Sequence, residues 1–366
     1  MPLQQDVIEQ LEDAFARRDV GRRTETLQRI TDLFVSTASR HSPEQVELFD
    51  EVMRRLLAEL ETSGRAAYGQ RMAKIAEAPP EVMRALALDD ALEVAAPVLQ
   101  HSEGLDEQVL VEGARTKGQG HLMAISRRRA LGEAVTDVLV ERGDSQVALS
   151  TAQNPGARFS DFGFSTLVQR SQGDDDLALT VWARPGIPRQ HELQLFARAS
   201  DAVRAKFEFV DPRKAELIRG MVAHASDQIQ TKARNIDTRH AAARVEVEAL
   251  QAAGHLDEGQ LAAFARAGSF DAAAIALSLL TGLPIGLVER AIVNDRPEQV
   301  FVLTKAIGLT WETTEAILRL QAGSAGGSKH DLEQCRAAFA RLQTVTAAKA
   351  LSFYRLREKA AVSPSG

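Results

Sequence analysis

Apolar residues recur along this chain at three- and four-residue steps, the spacing that gathers them on one face of an α-helix. From Thr24 onward, Leu27, Ile30, Phe34 and Ala38 form one such stripe. Beyond Ser42-Pro43-Glu44-Gln45, the residues Phe49, Val52, Met53, Leu56, Leu57 and Leu60 form the next. Ser42 has the side chain of an N-cap and Pro43 suits the first helical position, whose N–H needs no partner. Gln45 can reach back to close a capping box. Ser63-Gly64 then ends the helix. Residues 3–63 are expected to form three helices. No segment of four to eight residues alternates with the period of two that a half-buried strand requires. The chain is therefore expected to be all-α.

From about residue 66 the pattern repeats. Stepping forward 26 positions, Leu99 meets Ile125, Leu105 meets Leu131, Glu107 meets Glu133 and Val109 meets Val135. Stepping back 26 positions brings Ala73, Glu81 and Met83 under Leu99, Glu107 and Val109. The three glutamates fall in the first turn of the second helix of each unit, where a carboxylate favours the positive end of the helix dipole. Two longer units follow at an offset of 30: Ala148-Leu149-Ser150 and Asn154-Pro155-Gly156 align with Ala178-Leu179-Thr180 and Arg184-Pro185-Gly186. The 26-residue step returns where Gly282-Leu283-Pro284, Glu289 and Ile292 match Gly308-Leu309-Thr310, Glu315 and Leu318. A charged tract from Pro212 to about Ala253, with Leu217, Met221, Ile229 and Ile236, reads as one long helix or two. Gly323-Ser324-Ala325-Gly326-Gly327-Ser328 reads as a linker, and Leu332, Cys335, Phe339 and Leu342 begin a closing helix.

A fixed period over most of a chain signals stacked units that cannot bury an apolar face alone. About 26 residues hold two helices of roughly ten residues plus turns. The expected fold is an α-solenoid-like stack of short antiparallel helix pairs, HEAT-like but more compact, with an N-terminal helical cap and a C-terminal helical domain. The expected divisions are a cap over 1–65, a repeat block over 66–205, a long helix with a C-terminal helical-pair domain over 206–360, and a disordered tail over 361–366.

Composition narrows the function classes. The 366 residues carry 44 basic and 50 acidic side chains, a net charge of −6, which disfavours a nucleic-acid partner because phosphate neutralisation needs a basic footprint. Only 5% of residues are aromatic, which favours an Ala- and Leu-rich helical core. Met1-Pro2-Leu3-Gln4-Gln5-Asp6 lacks a signal-peptide pattern, and no apolar run approaches the roughly 20 residues that span a bilayer. A cytoplasmic location without membrane insertion is expected. Cys335 is the single cysteine, so no intramolecular disulfide or thiolate-rich metal site can form.

The run Leu92-Glu93-Val94-Ala95-Ala96-Pro97-Val98-Leu99, with Leu105 and Ala114 behind it, resembles an uncharacterised alphaproteobacterial group, domain-of-unknown-function family 2336. Two further stretches share the resemblance: His121 to Arg129, and Leu131 through Val135 to Glu141-Arg142-Gly143-Asp144. The resemblance covers most of the chain and implies an all-helical repeat protein from a bacterial cytoplasm. It carries no reaction and no site residues.

Catalytic and metal patterns are absent from the sequence. The eight histidines, His41, His101, His121, His191, His224, His240, His255 and His330, include no pair at the four-residue step that places two ligands on one helical face. They are expected at surfaces and turns. Phosphate-binding glycine loops and a Gly-x-Ser-x-Gly elbow are also missing. Asp161-Phe162-Gly163 lacks the remaining kinase motifs. Asp174-Asp175-Asp176 precedes a helix at Leu177, where capping accounts for it. Cys335 falls on an apolar face as a buried thiol. Trp182 and Trp311 occupy matching apolar positions expected to pack in a core.

Arg127-Arg128-Arg129 is the basic cluster that stands out. It sits at a turn between two helices, and Lys117 and His121 extend it on the inter-helix face. These five residues are the candidate binding site, for an acidic partner, a phosphate or a nucleotide. The expected function is a non-catalytic scaffold whose stacked helices hold a protein or peptide partner, with no cofactor and no metal. Self-association through the long charged helix is a further option. The alternatives are a HEAT-like nucleic-acid protein, such as a helical-repeat DNA glycosylase, and a sensor of a small anionic ligand.

Overall fold

A computed structural model of the chain describes residues 20–37, 42–210, 215–294, 296–322 and 331–362. The first expected helix, the Gly323–Ser328 linker and the tail from Ser363 onward lie outside the described residues. Within them the chain forms 21 helices and no strand, so the protein is all-α. Among the described residues no helix is long and apolar enough to cross a membrane. By contact the chain divides into two compact units, Met1–Gly163 and Phe164–Gly366. The division differs from the one read near residue 205, which falls inside a continuous helix, Arg189–Val210.

In the first unit the helices are α1 (Val20–Thr37), α2 (Pro43–Ala58), α3 (Thr62–Met72), α4 (Pro80–Ala87), α5 (Leu92–His101), α6 (Glu107–Thr116), α7 (Gln119–Ser126), α8 (Glu133–Arg142) and α9 (Ser145–Gln153). Their starts follow local chemistry. Ser42 and Gln45 form the capping box read from sequence, and Asp106 and Asp144 accept N–H bonds at the starts of α6 and α9. Asp50 of α2 does the same for another helix, accepting from the N–H groups of Glu81 and Val82 at 2.8 and 2.7 Å and so capping α4. Helices two apart in the chain pack side by side: α3 on α5, α5 on α7, α7 on α9, and likewise α2 on α4, α4 on α6, α6 on α8. Gly69 permits the approach of α3 to α5, since a Cβ there would stand 2.7 Å from the Val94 carbonyl oxygen. The positions equated by the 26-residue step (Leu99 and Ile125, Leu105 and Leu131, Val109 and Val135) are all buried in one core. Glu81, Glu107 and Glu133 occupy the first turns of α4, α6 and α8.

A further helix, α10 (Asp161–Arg170), spans the division between the units. The second unit continues with α11 (Asp175–Trp182), α12 (Arg189–Val210), α13 (Ala215–Ile236) and α14 (Thr238–Ala252). The charged tract is thus two helices, divided at Asp237, whose side chain accepts from the N–H of Arg239 and His240 to cap α14. Beyond it lie α15 (Glu258–Arg266), α16 (Phe270–Thr281), α17 (Ile285–Val293), α18 (Pro297–Ala306), α19 (Trp311–Ala322), α20 (Leu332–Arg341) and α21 (Thr344–Val362). Gly282 and Gly308 hold the left-handed conformation, at φ 60° and 80°. Here the packing closes on itself, because α15 lies against both α16 and α19. Glu258 of α15 secures that closure, accepting from the Thr310 N–H and from the hydroxyls of Thr310 and Thr313 at the start of α19.

The two tryptophans, matched by sequence, part company. Trp311 packs in the core with Phe301 and Phe339. Trp182 is 47% exposed and Leu179 64% exposed, because Leu177 and Val181 take the buried face of the short α11 and leave Leu179 and Trp182 outside it.

Candidate functional site

The five residues singled out by sequence all lie in the first unit, around the α7–α8 turn and the start of α7. Arg127 ends α7 and is exposed, and Arg129 is exposed and paired with Glu103 at 3.4 Å. Arg128 turns inward. Its guanidinium donates from Nη1 to the Leu99 carbonyl at 2.5 Å and from Nη2 to the Ser102 carbonyl at 2.6 Å. These carbonyls close the C-terminal end of α5, where a helix leaves acceptors without internal partners. Lys117 pairs with Asp90. His121 is buried, with Nε2 3.0 Å from the Asp89 carbonyl oxygen. Four of the five are therefore engaged with the chain itself, Arg129 through a surface ion pair, and only Arg127 and Arg129 offer guanidinium groups at the surface.

Arg128 belongs to a series. Asn154, 26 residues on, donates from its side-chain amide to the carbonyls of Ser126 and Arg128 at 2.8 and 2.6 Å, closing the end of α7 as Arg128 closes that of α5. Arg142 likewise donates to the Ala114 carbonyl at the end of α6. The three donors thus lie 26 to 29 residues beyond the carbonyls they hold, and each ties one helix end to a later segment of the chain. The segment carrying Asn154 also approaches the α7–α8 turn through a short parallel bridge, with Leu131 N–H donating to the Gly156 carbonyl and Arg158 N–H to that of Leu131.

A second concentration of charge lies wholly in the second unit, and sequence reasoning missed it. Glu289 on α17, 1% exposed, faces Arg189 of α12 and Arg234 of α13, with Nε atoms 3.4 and 3.5 Å from its two oxygens. Arg189 also pairs with Glu192 at 3.1 Å and donates to the Gln230 carbonyl. On the adjoining helices His240 Nδ1 lies 3.0 Å from Asp271 Oδ1. A donor atom from each of His240, Asp271 and Glu289 lies within 4.8 Å of the other two. Burial drives the Glu289 carboxyl above the usual carboxylate value, against the opposing pull of Arg189 and Arg234. Burial likewise pulls Arg234 below its ordinary value. Three carboxylates here meet two guanidiniums, so the cluster has room for a further positive charge.

The histidines depart from the expected surface placement: His121, His191 and His240 are buried. Among the described side chains only His101 and His255 are exposed. The sequence held one usable sign of the cluster. Glu289 occupies an apolar face between the buried Val288 and Ile292, a position at which a charge needs a partner. Its partners come from helices about 50 and 100 residues earlier in the chain, beyond the reach of local spacing.

A family model described as "Uncharacterised protein conserved in bacteria" (DUF2336) matches residues 94–352. No curated protein and no solved structure matches the chain.

Proposed function

Starting from a chain that belongs to the uncharacterised bacterial family DUF2336, we propose that it is a non-catalytic helical-repeat scaffold for a protein or peptide partner. In this reading the first unit is a solenoid-like stack of antiparallel helix pairs, and the second is a helical domain joined to it. The observation that carries the reading is the series of end-of-helix bonds at the repeat step, Arg128 to α5 and Asn154 to α7. Bonds of this kind hold successive units in one register, and a register-locked stack presents equivalent surface positions at regular intervals to an extended partner. Arg127 and Arg129 lie on that surface and can engage carboxylates of the partner. Arg128, turned inward, serves the stack. A cytoplasmic setting belongs to the same proposal.

The test uses the full chain as bait in lysate, with chemical cross-linking and mass spectrometry of what is retained. Beside it runs the double variant Arg127→Glu/Arg129→Glu, which alters the surface and leaves Arg128 in place. The expected result is one protein retained at near-stoichiometric amount, cross-linked to residues before Gly163, and lost from the double variant while its melting temperature stays unchanged. Retention of nucleic acid or a small anion alone, or cross-links confined to the second unit, would overturn the reading.

A further inference from the structure

The cluster around Glu289 contains more polar capacity than the chain itself uses. Glu289 Oε2 and Arg234 Nε face each other at 3.5 Å, yet neither makes a hydrogen bond. Gln230, whose backbone carbonyl receives Arg189, is 7% exposed, and both its side-chain oxygen and nitrogen lack hydrogen-bond partners. Leaving a buried polar atom unpaired costs about 1–3 kcal/mol, and more for a charged one. Several such atoms around one ion cluster mark a place built for a guest.

Three features identify the guest. The cluster's carboxylates, Glu192, Asp271 and Glu289, outnumber its guanidiniums, Arg189 and Arg234, so a cation is favoured over an anion. His240, Asp271 and Glu289 bring one imidazole and two carboxylates within 4.8 Å of one another. Ligand bonds of about 2.0–2.2 Å place the donors of one ion within about 4.4 Å of each other, so small side-chain adjustments would bring these three onto a shared ion. One nitrogen with two oxygens suits a borderline divalent metal such as Zn²⁺ or Mn²⁺ better than Ca²⁺, which takes oxygen ligands only. The guanidiniums are compatible with this. A carboxylate offers about four lone-pair sites, so Arg189 and Arg234 can occupy outer ones and orient Glu289, as partners behind metal ligands commonly do. Asp271, with 19% of its side chain exposed, supplies the edge through which an ion would enter.

We infer that His240, Asp271 and Glu289 form a binding site for one divalent transition-metal ion, tying α14, α16 and α17 together. The inference is independent of the scaffold reading, since it concerns a different unit and its test involves no partner.

The experiment titrates ZnCl₂, and separately MnCl₂, into metal-stripped full-length protein freed of any affinity tag, by calorimetry and thermal melting. His240→Ala and Asp271→Asn are measured alongside, with His101→Ala/His255→Ala as control for exposed imidazoles. The expected result is one equivalent bound with a raised melting temperature, at least tenfold weaker binding in each cluster variant, and unchanged binding in the control. Absence of binding, binding undiminished in the cluster variants, or binding lost in the control would each overturn the inference. Should either cluster variant fail to fold, X-ray absorption of the loaded wild-type protein decides. One imidazole with oxygen neighbours supports the site, and two or more imidazoles refute it.

Discussion

Replacing Arg128 by Ala removes both bonds that close the end of α5 and leaves the carbonyls of Leu99 and Ser102 without donors, at residues that are almost fully buried. A hydrogen bond to a charged group contributes about 1.5–3 kcal/mol, so the two together are worth roughly 3–6 kcal/mol before any offset. The offset is the desolvation of the guanidinium, which burial pulls below its ordinary pKa and which the alanine variant no longer pays. A net loss of about 3 kcal/mol is expected. In a unit of this size about 2–4 °C is lost per kcal/mol, so the melting transition should fall by roughly 6–12 °C. Arg127→Ala and Arg129→Ala serve as matched controls: exposed arginines, even with a surface partner, contribute about 0–1 kcal/mol. Far-UV circular dichroism follows helix loss in the three variants. Both tryptophans, Trp182 and Trp311, belong to the second unit, so their fluorescence reads that unit in the same samples. If Arg128→Ala melts within 1 °C of Arg127→Ala, the argument that Arg128 is an internal fastening fails.

Other outcomes follow from the same geometry. Glu289 is held above 4.5 by burial, so the folded state binds its proton more tightly than the unfolded state does. In EDTA its contribution to stability is therefore greatest at acid pH and declines as pH rises from 4.5 through the raised folded value. Melting temperatures across that window should show this slope in wild type and lose it in Glu289→Gln; identical slopes would count against it. A Cβ at Gly156 would stand 1.9 Å from the Arg129 carbonyl oxygen, so Gly156→Ala must displace the bridge beside the α7–α8 turn. A cost of about 2 kcal/mol is expected by chemical denaturation, and a neutral result would show that the segment yields freely. Cys335 is buried and its thiol is pushed up by that burial, so a thiol-specific disulfide reagent should label it slowly in native buffer and rapidly in guanidinium; equal rates would mean α20 does not seat against the core.

The helices and much of the core were legible because their causes are local. Ser42 and Gln45 cap a helix through neighbours three residues apart, and the 26-residue step marked Leu99, Ile125, Leu131 and Val135 as equivalent and buried. That step also equated Glu289 with Glu315, and there its reach ended. Glu315 is a surface residue paired with Arg319 one turn on, whereas Glu289 is buried against Arg189 and Arg234. Local spacing fixes a residue's place on its own helix, but its surroundings depend on which distant helices close over it. Arg128 shows the same limit in reverse. Three adjacent arginines read as one basic patch, but the turn sends the middle one inward and its neighbours outward. Trp182 departs from its expected core position because Leu177 and Val181 already occupy the one buried face of α11.

The bonds that close α5, α6 and α7 have a direction in time. Their donors, Arg128, Arg142 and Asn154, all follow the carbonyls they hold by 26 to 29 residues. As the chain emerges from a ribosome, each helix end stays open until the following unit has been synthesised, and that unit in turn waits for its successor. Growth of the first unit is thus vectorial, each new segment finishing the one before it. A nascent chain halted before Asn154 would have α5 and α6 already fastened and only the end of α7 still without its donor.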